Sequence, residues 1–338
     1  MRLEAPFWWY RRKGALASAL APLGRLYGSI AEKRFARVDP YRSRLPVICI
    51  GNFTSGGGGK TPTAIAVAAL LAELGVRPAF LTRGYGGASQ GPVLVAKGQS
   101  AEEVGDEPLL LAEVAPTMVA ADRAAGAAAL EATEAAVIVM DDGFQNPSLI
   151  KDLSLVVVDA AVGLGNGLIM PAGPLRAPLE AQMARADALI VVGDGSKAAP
   201  LVDAFAGQGK PVLKARMVPR QDRRWLGVLP VIGFAGIARP EKFFATLRNN
   251  GARLIDTRAF PDHHRYRERD ARRLLKAAKE QNAMLVTTEK DFVRLADEED
   301  TALGELKHRC RPFPIAVEFD DAAAVKALLS AAIAKAKT

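Results

Sequence analysis

The sequence is poor in the residues that build disulfide frameworks and metal–thiolate sites. Its 338 residues include two cysteines, Cys49 and Cys310, and three histidines. Cys49 falls in an apolar run typical of a core strand, and the two cysteines do not have the spacing of a metal site. A disulfide-stabilised scaffold and a cysteine-rich zinc domain are therefore excluded, and we expect a reducing compartment.

Long apolar runs are also missing. No uncharged run reaches the roughly 18 apolar residues needed to span a bilayer. Basic residues 11–13 follow the N-terminal aromatics, and no long apolar core comes next, so this start does not match a signal peptide. Apolar content of 49% and charged content of 24% are those of an ordinary folded protein, and the length allows two modest domains.

Positive charge is concentrated at one end of the chain. The net charge is +8, and residues 1–45 hold ten Arg and Lys against Glu4, Glu32 and Asp39, which gives +7 of that excess. A basic segment on a near-neutral body predicts an anionic surface as partner, either a membrane or a nucleic acid.

Residues 1–40 are predicted to form amphipathic helices. Apolar residues recur at helical spacing, and Pro22 is expected to divide the segment into two helices. Four adjacent aromatics, residues 7–10, cannot all face one core, which favours helices lying in the membrane interface over a helix packed on its own domain. The predicted stripe is Trp9, Leu16, Leu20, Leu23, Tyr27 and Ile30.

The remaining chain has an α/β pattern. Residues 41–212 alternate near-continuous apolar strands with helices, which predicts a three-layer sandwich around a mostly parallel sheet of the P-loop type. Ligands of such sheets bind at the carboxyl ends of the strands. Residues 213–338 carry more charge and shorter strand–helix pairs, and we expect a smaller α/β domain there.

The stretch IGNFTSGGGGKT has the build of a phosphate-binding loop. A buried-strand pattern precedes it and a helix pattern follows it, so backbone N–H groups of the glycines and a helix dipole would face phosphate oxygens. Thr54 stands where the usual pattern has glycine, and the alternative is a glycine-rich linker. The predicted nucleotide-binding residues are Thr54, Ser55, Gly56, Gly57, Gly58, Gly59, Lys60 and Thr61.

Two carboxylates follow another apolar run, in VIVMDDGFQN. Asp141 and Asp142 would stand at the carboxyl end of a strand, where nucleotide enzymes hold magnesium, with the hydroxyl of Thr61 as a further ligand. The alternative is a turn or helix-cap acid.

Other candidates carry weaker signals. Arg83, Arg123 and Arg176 follow predicted strands and suit phosphate oxygens, although each alone could form a surface ion pair. Asp106 opens a helix, where an acid is most often a cap. His263 and His264 lie in a loop of the second predicted domain.

Taken together, these stretches resemble the tetraacyldisaccharide 4′-kinase family of lipid A biosynthesis. The resemblance runs through most of the chain, and the order and spacing of its motifs are specific. Thr54 is itself a mark of this family. The motifs are IGNFTSGGGGKTP, LTRGYGG, GDEP, ADR, DDGFQN, NGLIMPAGPLR, GIARPEKFF, FPDHH and VTTEKD.

The resemblance implies a reaction and its cofactors. ATP, with Mg²⁺, would phosphorylate the 4′-hydroxyl of tetraacyldisaccharide 1-phosphate at the cytoplasmic face of the inner membrane. We expect a peripheral or monotopic protein with no spanning helix and no nucleic-acid partner, and a monomer rather than an oligomer. Asp106 would accept the proton with His263 as its partner, and Lys60, Arg123 and Arg176 would act on phosphate.

The resemblance also implies a substrate site and shows one departure. Ala177 stands where the family usually has glutamate, and the next acid is Glu180, so a role of that glutamate is not carried over. The residues implied in substrate binding are Arg83, Tyr85, Gln145, Trp8, Trp9, Arg11 and Arg12.

Two other classes of ATPase use similar parts. A membrane-associated switch of the partitioning type usually carries lysine where Ser55 stands, and an Asp–His pair would have no place in it. A nucleic-acid-binding ATPase would spread its basic residues along the body. Salt-dependent binding to liposomes rather than DNA distinguishes a lipid kinase from a nucleic-acid-binding ATPase, and phosphate transfer to the lipid distinguishes it from the switch.

Overall fold

The computed structural model describes residues 6–11, 13–220, 222–296 and 300–336. These described residues form thirteen strands and twelve α-helices, with 3₁₀ helices at Phe7–Tyr10 and Arg224–Gly227. The strands are β1 Val47–Gly51, β2 Pro78–Thr82, β3 Val93–Leu94, β4 Thr117–Val119, β5 Val137–Asp141, β6 Leu153–Asp159, β7 Ala188–Val192, β8 Val212–Pro219, β9 Val231–Ala235, β10 Leu254–Ala259, β11 Met284–Thr287, β12 Cys310–Pro312 and β13 Ile315–Phe319. The helices are α1 Ala15–Arg37, α2 Lys60–Glu73, α3 Ala101–Val104, α4 Asp106–Ala112, α5 Arg123–Leu130, α6 Leu179–Arg185, α7 Ala199–Gly207, α8 Pro240–Asn249, α9 Glu268–Glu280, α10 Glu289–Phe292, α11 Ala302–Arg309 and α12 Ala322–Ala336.

The larger sheet has nine strands in the order β13-β8-β7-β6-β1-β5-β2-β4-β3. Its neighbours pair in parallel except at the two edges, where β13 and β3 run antiparallel. Alternate residues of β1 enter different cores: Ile48 and Ile50 face α2 and α12, whereas Val47 and Cys49 face α5 to α7. Both faces are therefore buried, which explains why the strands are apolar throughout and confirms the predicted three-layer α/β class.

The smaller sheet has four parallel strands in the order β10-β9-β11-β12. Helix α8 packs on one face through Phe244 and Leu247, and α9 packs on the other through Ala271 and Leu274. We call residues 224–312 the smaller unit and the rest of the described body the larger unit.

The predicted boundary at residue 212 differs from this arrangement. Strands β8 and β13 both belong to the larger sheet, and α12 packs against the same core as α2. The chain therefore leaves the larger unit after Pro219 and returns at Ile315. A local pattern does not encode this return, because the antiparallel pairing of β13 with β8 joins segments far apart in sequence.

The N-terminal segment forms one long helix rather than two. Helix α1 runs through Pro22, whose side of the helix is exposed, so the prediction of a break was wrong. A proline removes one backbone hydrogen bond, and here the helix continues past that loss.

The two sides of α1 are unlike. Its inward face consists of small residues, Ala17, Gly24 and Gly28, and a Cβ on Gly24 would lie 2.6 Å from the carbonyl oxygen of Ile169. Its outward face carries exposed large apolar side chains. These are Leu16, Leu23, Leu26, Tyr27 and Ile30. Within the described ranges, no helix is long and apolar enough to cross a membrane.

Candidate active site

The glycine loop connects β1 to α2, as predicted. Gly56 and Gly59 have φ of +108° and +85°, a left-handed backbone that a side chain would strain. Gly59 precedes the first residue of α2, Lys60, whose Nζ lies 3.5 Å from the carbonyl oxygen of Gly56. The loop therefore surrounds a helix N-terminus and one lysine, which is the arrangement that binds phosphate.

The first residues of the loop are hydrogen-bonded to the Gly/Pro-rich segment after β6. Ser55 donates its backbone N–H to the carbonyl of Pro174 at 2.8 Å, and Thr54 forms a bridge with Leu175. Arg176 donates from Nε to the carbonyl of Thr54 at 3.2 Å. The backbone of Thr54 thus helps to fix the start of the loop against this segment.

The acid pair follows β5 and lies beside this loop. Asp141 is fully buried, and its Oδ2 accepts a 2.9 Å hydrogen bond from the hydroxyl of Thr61. Its other oxygen, Oδ1, is buried with no hydrogen-bond partner among the described residues. Asp142 turns away with φ of +52° and faces Lys60 and Arg176, each at 3.6 Å.

The pKa values of the two carboxyl groups are shifted in opposite directions. Burial, together with the charges of Glu107 and Asp142, raises the pKa of Asp141 to about 7. Burial also raises the pKa of Asp142, but Lys60 and Arg176 lower it by more, so the net shift is downward. Asp142 is therefore the readily ionised carboxylate of the site, and a bound cation would stabilise the ionised form of Asp141.

Asp106 and His263 are in contact, although they belong to different units. Nδ1 of His263 lies 3.3 Å from Oδ2 of Asp106. Gly105, not Asp106, is the N-cap of α4, so the acid is free for other partners. The backbone N–H of His263 donates to the carbonyl of Gly236 at 3.0 Å, which fixes the histidine over the carboxylate.

Arg294 is a third member of this cluster that the sequence analysis missed. Both Nε, at 3.0 Å, and Nη2 donate to Oδ2 of Asp106, and Nη1 donates to Gly236 and Asp291. Burial raises the pKa of Asp106, but the hydrogen bond from His263 and the charges of Arg294 and Lys290 hold it well below its usual range. The sequence signal that could have identified Arg294 was the VTTEKD motif, because Arg294 stands three residues, about one helical turn, after Asp291.

The same motif supplies a second ion pair across the two units. Lys290 donates to Oε1 of Glu107 at 2.5 Å. Asp291 is fully buried and accepts from Tyr266, from Thr288 and from the backbone of Gly236. Asp291 thus orders segments within the smaller unit, while the Lys290–Glu107 and Arg294–Asp106 pairs hold that unit against the start of α4.

Glycines bring the LTRGYGG and GDEP segments together. A Cβ on Gly84 would lie 2.7 Å from the carbonyl oxygen of Val104, and one on Gly105 would lie 2.9 Å from that of Tyr85. Tyr85 is exposed and its ring packs edge-on against His263 with centroids 5.2 Å apart. A predicted substrate residue therefore lies beside the predicted proton-accepting pair.

The predicted arginines differ in their surroundings. Arg123 is buried and donates to the carbonyl of Ala120, and its Nε has no partner in the described structure. Burial and the nearby charge of Arg83 lower the pKa of Arg123 to about 10. Arg83 is exposed, and the buried Arg123 interacts with the charges of both Arg83 and the acid pair.

Gln145 and Trp9 have structural partners. Gln145 donates to Gln182 at 2.5 Å, and Gln182 holds the carbonyl of Ala177 at 2.8 Å. Ala177 is buried and Glu180 is exposed, so Glu180 does not take the place of the family glutamate. Trp9 is 8% exposed and donates from Nε1 to Pro171 at 3.0 Å.

The rest of the aromatic N-terminus is divided between the body and solvent. The backbone of Trp8 accepts from Asn166 at 3.2 Å, while Phe7 is exposed with Arg11 over its ring at 5.2 Å. Arg12 lies outside the described residues. Trp8 and Trp9 therefore anchor the segment, and Phe7 and Arg11 face outward.

His264 is separate from the cluster. Its Nε2 lies 3.0 Å from Oδ2 of Asp270, and its ring stacks on Phe260 at 4.8 Å. These contacts give it a structural environment distinct from that of His263.

Comparisons with known proteins agree with the quoted motifs. The sequence profile of the family described as tetraacyldisaccharide-1-P 4′-kinase matches residues 16–334. A tetraacyldisaccharide 4′-kinase of Methylobacterium sp. (strain 4-46) is 52% identical over 334 residues, covering 97% of this chain and 98% of the relative. One from Rhodopseudomonas palustris (strain BisB18) is 49% identical over 328 residues, covering 96% and 94%.

A solved structure has the same architecture. The crystal structure described as the "apo" form of LpxK from Aquifex aeolicus in complex with ATP matches with a TM-score of 0.74 at 27% identity, covering 94% of this chain and 99% of that one.

Proposed function

Because the chain belongs to the tetraacyldisaccharide 4′-kinase family, we propose that it transfers the γ-phosphate of ATP to the 4′-hydroxyl of tetraacyldisaccharide 1-phosphate at the junction of its two units. The observation that carries this proposal is the contact of Asp106 with His263 across the two units. Membership of this kinase family argues against the alternative of a partitioning-type ATPase switch.

The glycine loop is the proposed ATP site. Its free backbone, the N-terminus of α2 and the charge of Lys60 favour the β- and γ-phosphates. Arg176 and Arg123 add positive charge beside the acid pair, where the migrating phosphoryl group would pass. Such groups act mainly by position and charge, because phosphoryl transfer requires little covalent chemistry from the protein.

The acid pair suits Mg²⁺. Hard cations take oxygen ligands, and the site offers the hydroxyl of Thr61 and the partnerless Oδ1 of buried Asp141, with Asp142 adjacent. Bound there, Mg²⁺ would neutralise charge on the phosphates during transfer. A cation also removes the cost of ionising a carboxyl group whose pKa is raised by burial.

Asp106 is the proposed proton acceptor, and His263 is its partner. As the 4′-oxygen bonds to the γ-phosphorus, the bond from that phosphorus to the β-phosphate oxygen breaks and ADP leaves. The hydroxyl proton passes to the carboxylate of Asp106, which His263 orients. Because Arg294 keeps Asp106 ionised, the carboxylate acts chiefly to aim the hydroxyl and to take its proton late, as suits a loose transition state.

Helix α1 is the proposed membrane contact. Its small residues pack on the body, while Leu23, Leu26 and Ile30 are more than half exposed. Exposed basic residues Lys33 and Arg34 follow on the same helix. Apolar side chains flanked by positive charge fit the cytoplasmic face of an anionic inner membrane.

A transfer assay tests the proposed function. Labelled ATP, Mg²⁺ and detergent-dispersed tetraacyldisaccharide 1-phosphate should give labelled 1,4′-bisphosphate with the natural chain. Lys60→Ala should lower turnover by at least about a hundredfold, since a preorganised charge at the transferring group is lost. Near-normal turnover of this variant, with an unchanged unfolding midpoint, would remove the loop from the mechanism.

A further inference from the structure

One side chain of the smaller unit reaches the glycine loop itself. Arg239 immediately precedes α8, and its Nη2 donates to the carbonyl oxygen of Gly57 at 3.1 Å. The same nitrogen donates to Oδ2 of Asp159 at 2.7 Å. Asp159 ends β6 of the larger sheet and is 7% exposed. The guanidinium group therefore links three segments that are distant in sequence.

The loop peptide that Arg239 contacts has little else to position it. Among the described residues, a Cβ on Gly57 would meet no atom within 4 Å, so no neighbour packs on this side of the residue. Residues 56–59 are four consecutive glycines, and glycine has more backbone freedom than any other residue type. A hydrogen bond from a charged donor is a substantial restraint in this setting.

Fixing one carbonyl fixes the next N–H group. The carbonyl of Gly57 and the N–H of Gly58 belong to one planar trans peptide and point in opposite directions. Holding the carbonyl toward Arg239 therefore turns the N–H of Gly58 away from it. Phosphate loops bind their ligand through such N–H groups, so this orientation bears directly on the nucleotide.

Asp159 holds Arg239 in place and also accepts a hydrogen bond from a second cation, Lys242. Nζ of Lys242 also donates to Oδ2 of Asp159, at 2.6 Å. Burial raises the pKa of Asp159, but Lys242 and Arg239 lower it by more, so the carboxylate is ionised. The two cations share this partner, but the hydrogen bond to the loop comes from Arg239.

We propose that Arg239 is a positioning residue for ATP, which it favours by orienting the Gly57–Gly58 peptide of the phosphate loop. Because Arg239 belongs to the smaller unit, the docking that brings His263 to Asp106 also orders the loop. ATP affinity and docking of the smaller unit are then linked. This inference rests on the proposed use of the loop for ATP.

Isothermal titration of the full chain with a non-hydrolysable ATP analogue and Mg²⁺ tests the proposal. Arg239→Ala should weaken binding by about tenfold, the effect of losing one charge-assisted hydrogen bond. Lys242→Ala is the matched control, since it removes a cation from the same carboxylate, and should change binding less than about twofold. Arg239→Lys, which keeps the charge, should recover part of the loss.

Kinetics separate a positioning role from a merely structural one. Arg239→Ala should raise the KM for ATP while leaving the KM for the lipid near that of the natural chain. Equal binding by Arg239→Ala and the natural chain would overturn the proposal, and so would equal losses in the arginine and lysine variants. Failure of the natural chain to bind the analogue would instead refute the ATP assignment of the loop.

Discussion

Replacing Asp141 with asparagine should stabilise the metal-free protein while abolishing its activity. The folded state raises the pKa of Asp141 from 3.8 to about 7, so it holds a proton that the unfolded chain releases. Stability from this group is fully present below pH 3.8 and is lost as the pH rises to about 7, at about 1.4 kcal/mol per pH unit. Asparagine carries no such charge and can still accept from Thr61.

The size of the effect follows from this pKa. Between pH 5 and pH 8 the stability of the natural chain should fall relative to Asp141→Asn by about 2.5 kcal/mol. Urea unfolding with a chelator present, at four pH values across this range, measures the difference. Groups that titrate in both proteins cancel, so the pH dependence of the difference belongs to Asp141.

Asp142 provides a control of opposite sign. Its pKa is lowered in the folded state, so its ionised form stabilises the fold above its unfolded pKa, and Asp142→Asn should lose stability at pH 8. Mg²⁺ should stabilise the natural chain at pH 8 and have little effect on Asp141→Asn. Parallel stability curves for Asp141→Asn and the natural chain would refute the assignment of a strained, metal-binding carboxyl group.

Two further predictions concern the acid–base cluster and the outward face of α1. Arg294→Met should move the acid limb of the kcat/KM profile to higher pH, because the cation that lowers the pKa of Asp106 is lost; Arg294→Lys should restore part of the shift. A uniform loss of rate with an unmoved limb would leave Arg294 a structural role only. Leu26→Glu should reduce sedimentation with anionic vesicles, and natural-chain binding should weaken as salt screens the basic residues. Val228→Glu, at a 73% exposed apolar residue of the smaller unit, is the control, and equal binding by Leu26→Glu and the natural chain would refute the membrane contact.

Local patterns predicted the parts of the fold whose causes are local. Near-continuous apolar runs predicted β1, β5 and β6, because strands buried on both faces need no alternation. The glycine loop was predicted in the same way, since Gly56 and Gly59 supply the left-handed backbone that the turn requires. Asp141 was expected at the carboxyl end of a strand near the hydroxyl of Thr61, and it ends β5 and accepts a hydrogen bond from that hydroxyl.

Features decided by tertiary contacts could not be predicted in this way. The stripe of α1 was recognised, but helical spacing alone does not say that Gly24 and Gly28 face inward while Leu26 and Ile30 face outward. The return of the chain to β13 is likewise set by long-range pairing.

Functional partners across the two units have the same limitation. Asp106 could be named from its motif, but an acid at a helix start gives no indication that Arg294 will approach from the other unit. Arg239 stands in a quoted motif, yet its role depends on the position of Gly57 relative to the smaller unit. Residues whose function is to link two units are recognisable only once both units are placed.

The most direct test of this account is the turnover of Asp106→Ala, His263→Ala and the double variant, measured as phosphate transfer to tetraacyldisaccharide 1-phosphate. Each single variant should lose most of its turnover while binding ATP with similar affinity, because the Lys290–Glu107 pair and Arg239 still hold the smaller unit against the larger one. The double variant should be little slower than the slower single one, because groups that act as one unit are not additive. His264→Ala should have a mild effect, as its ring contacts Asp270 and Phe260 instead. Independent, multiplicative losses, or a severe loss in His264→Ala, would contradict the Asp106–His263 pair.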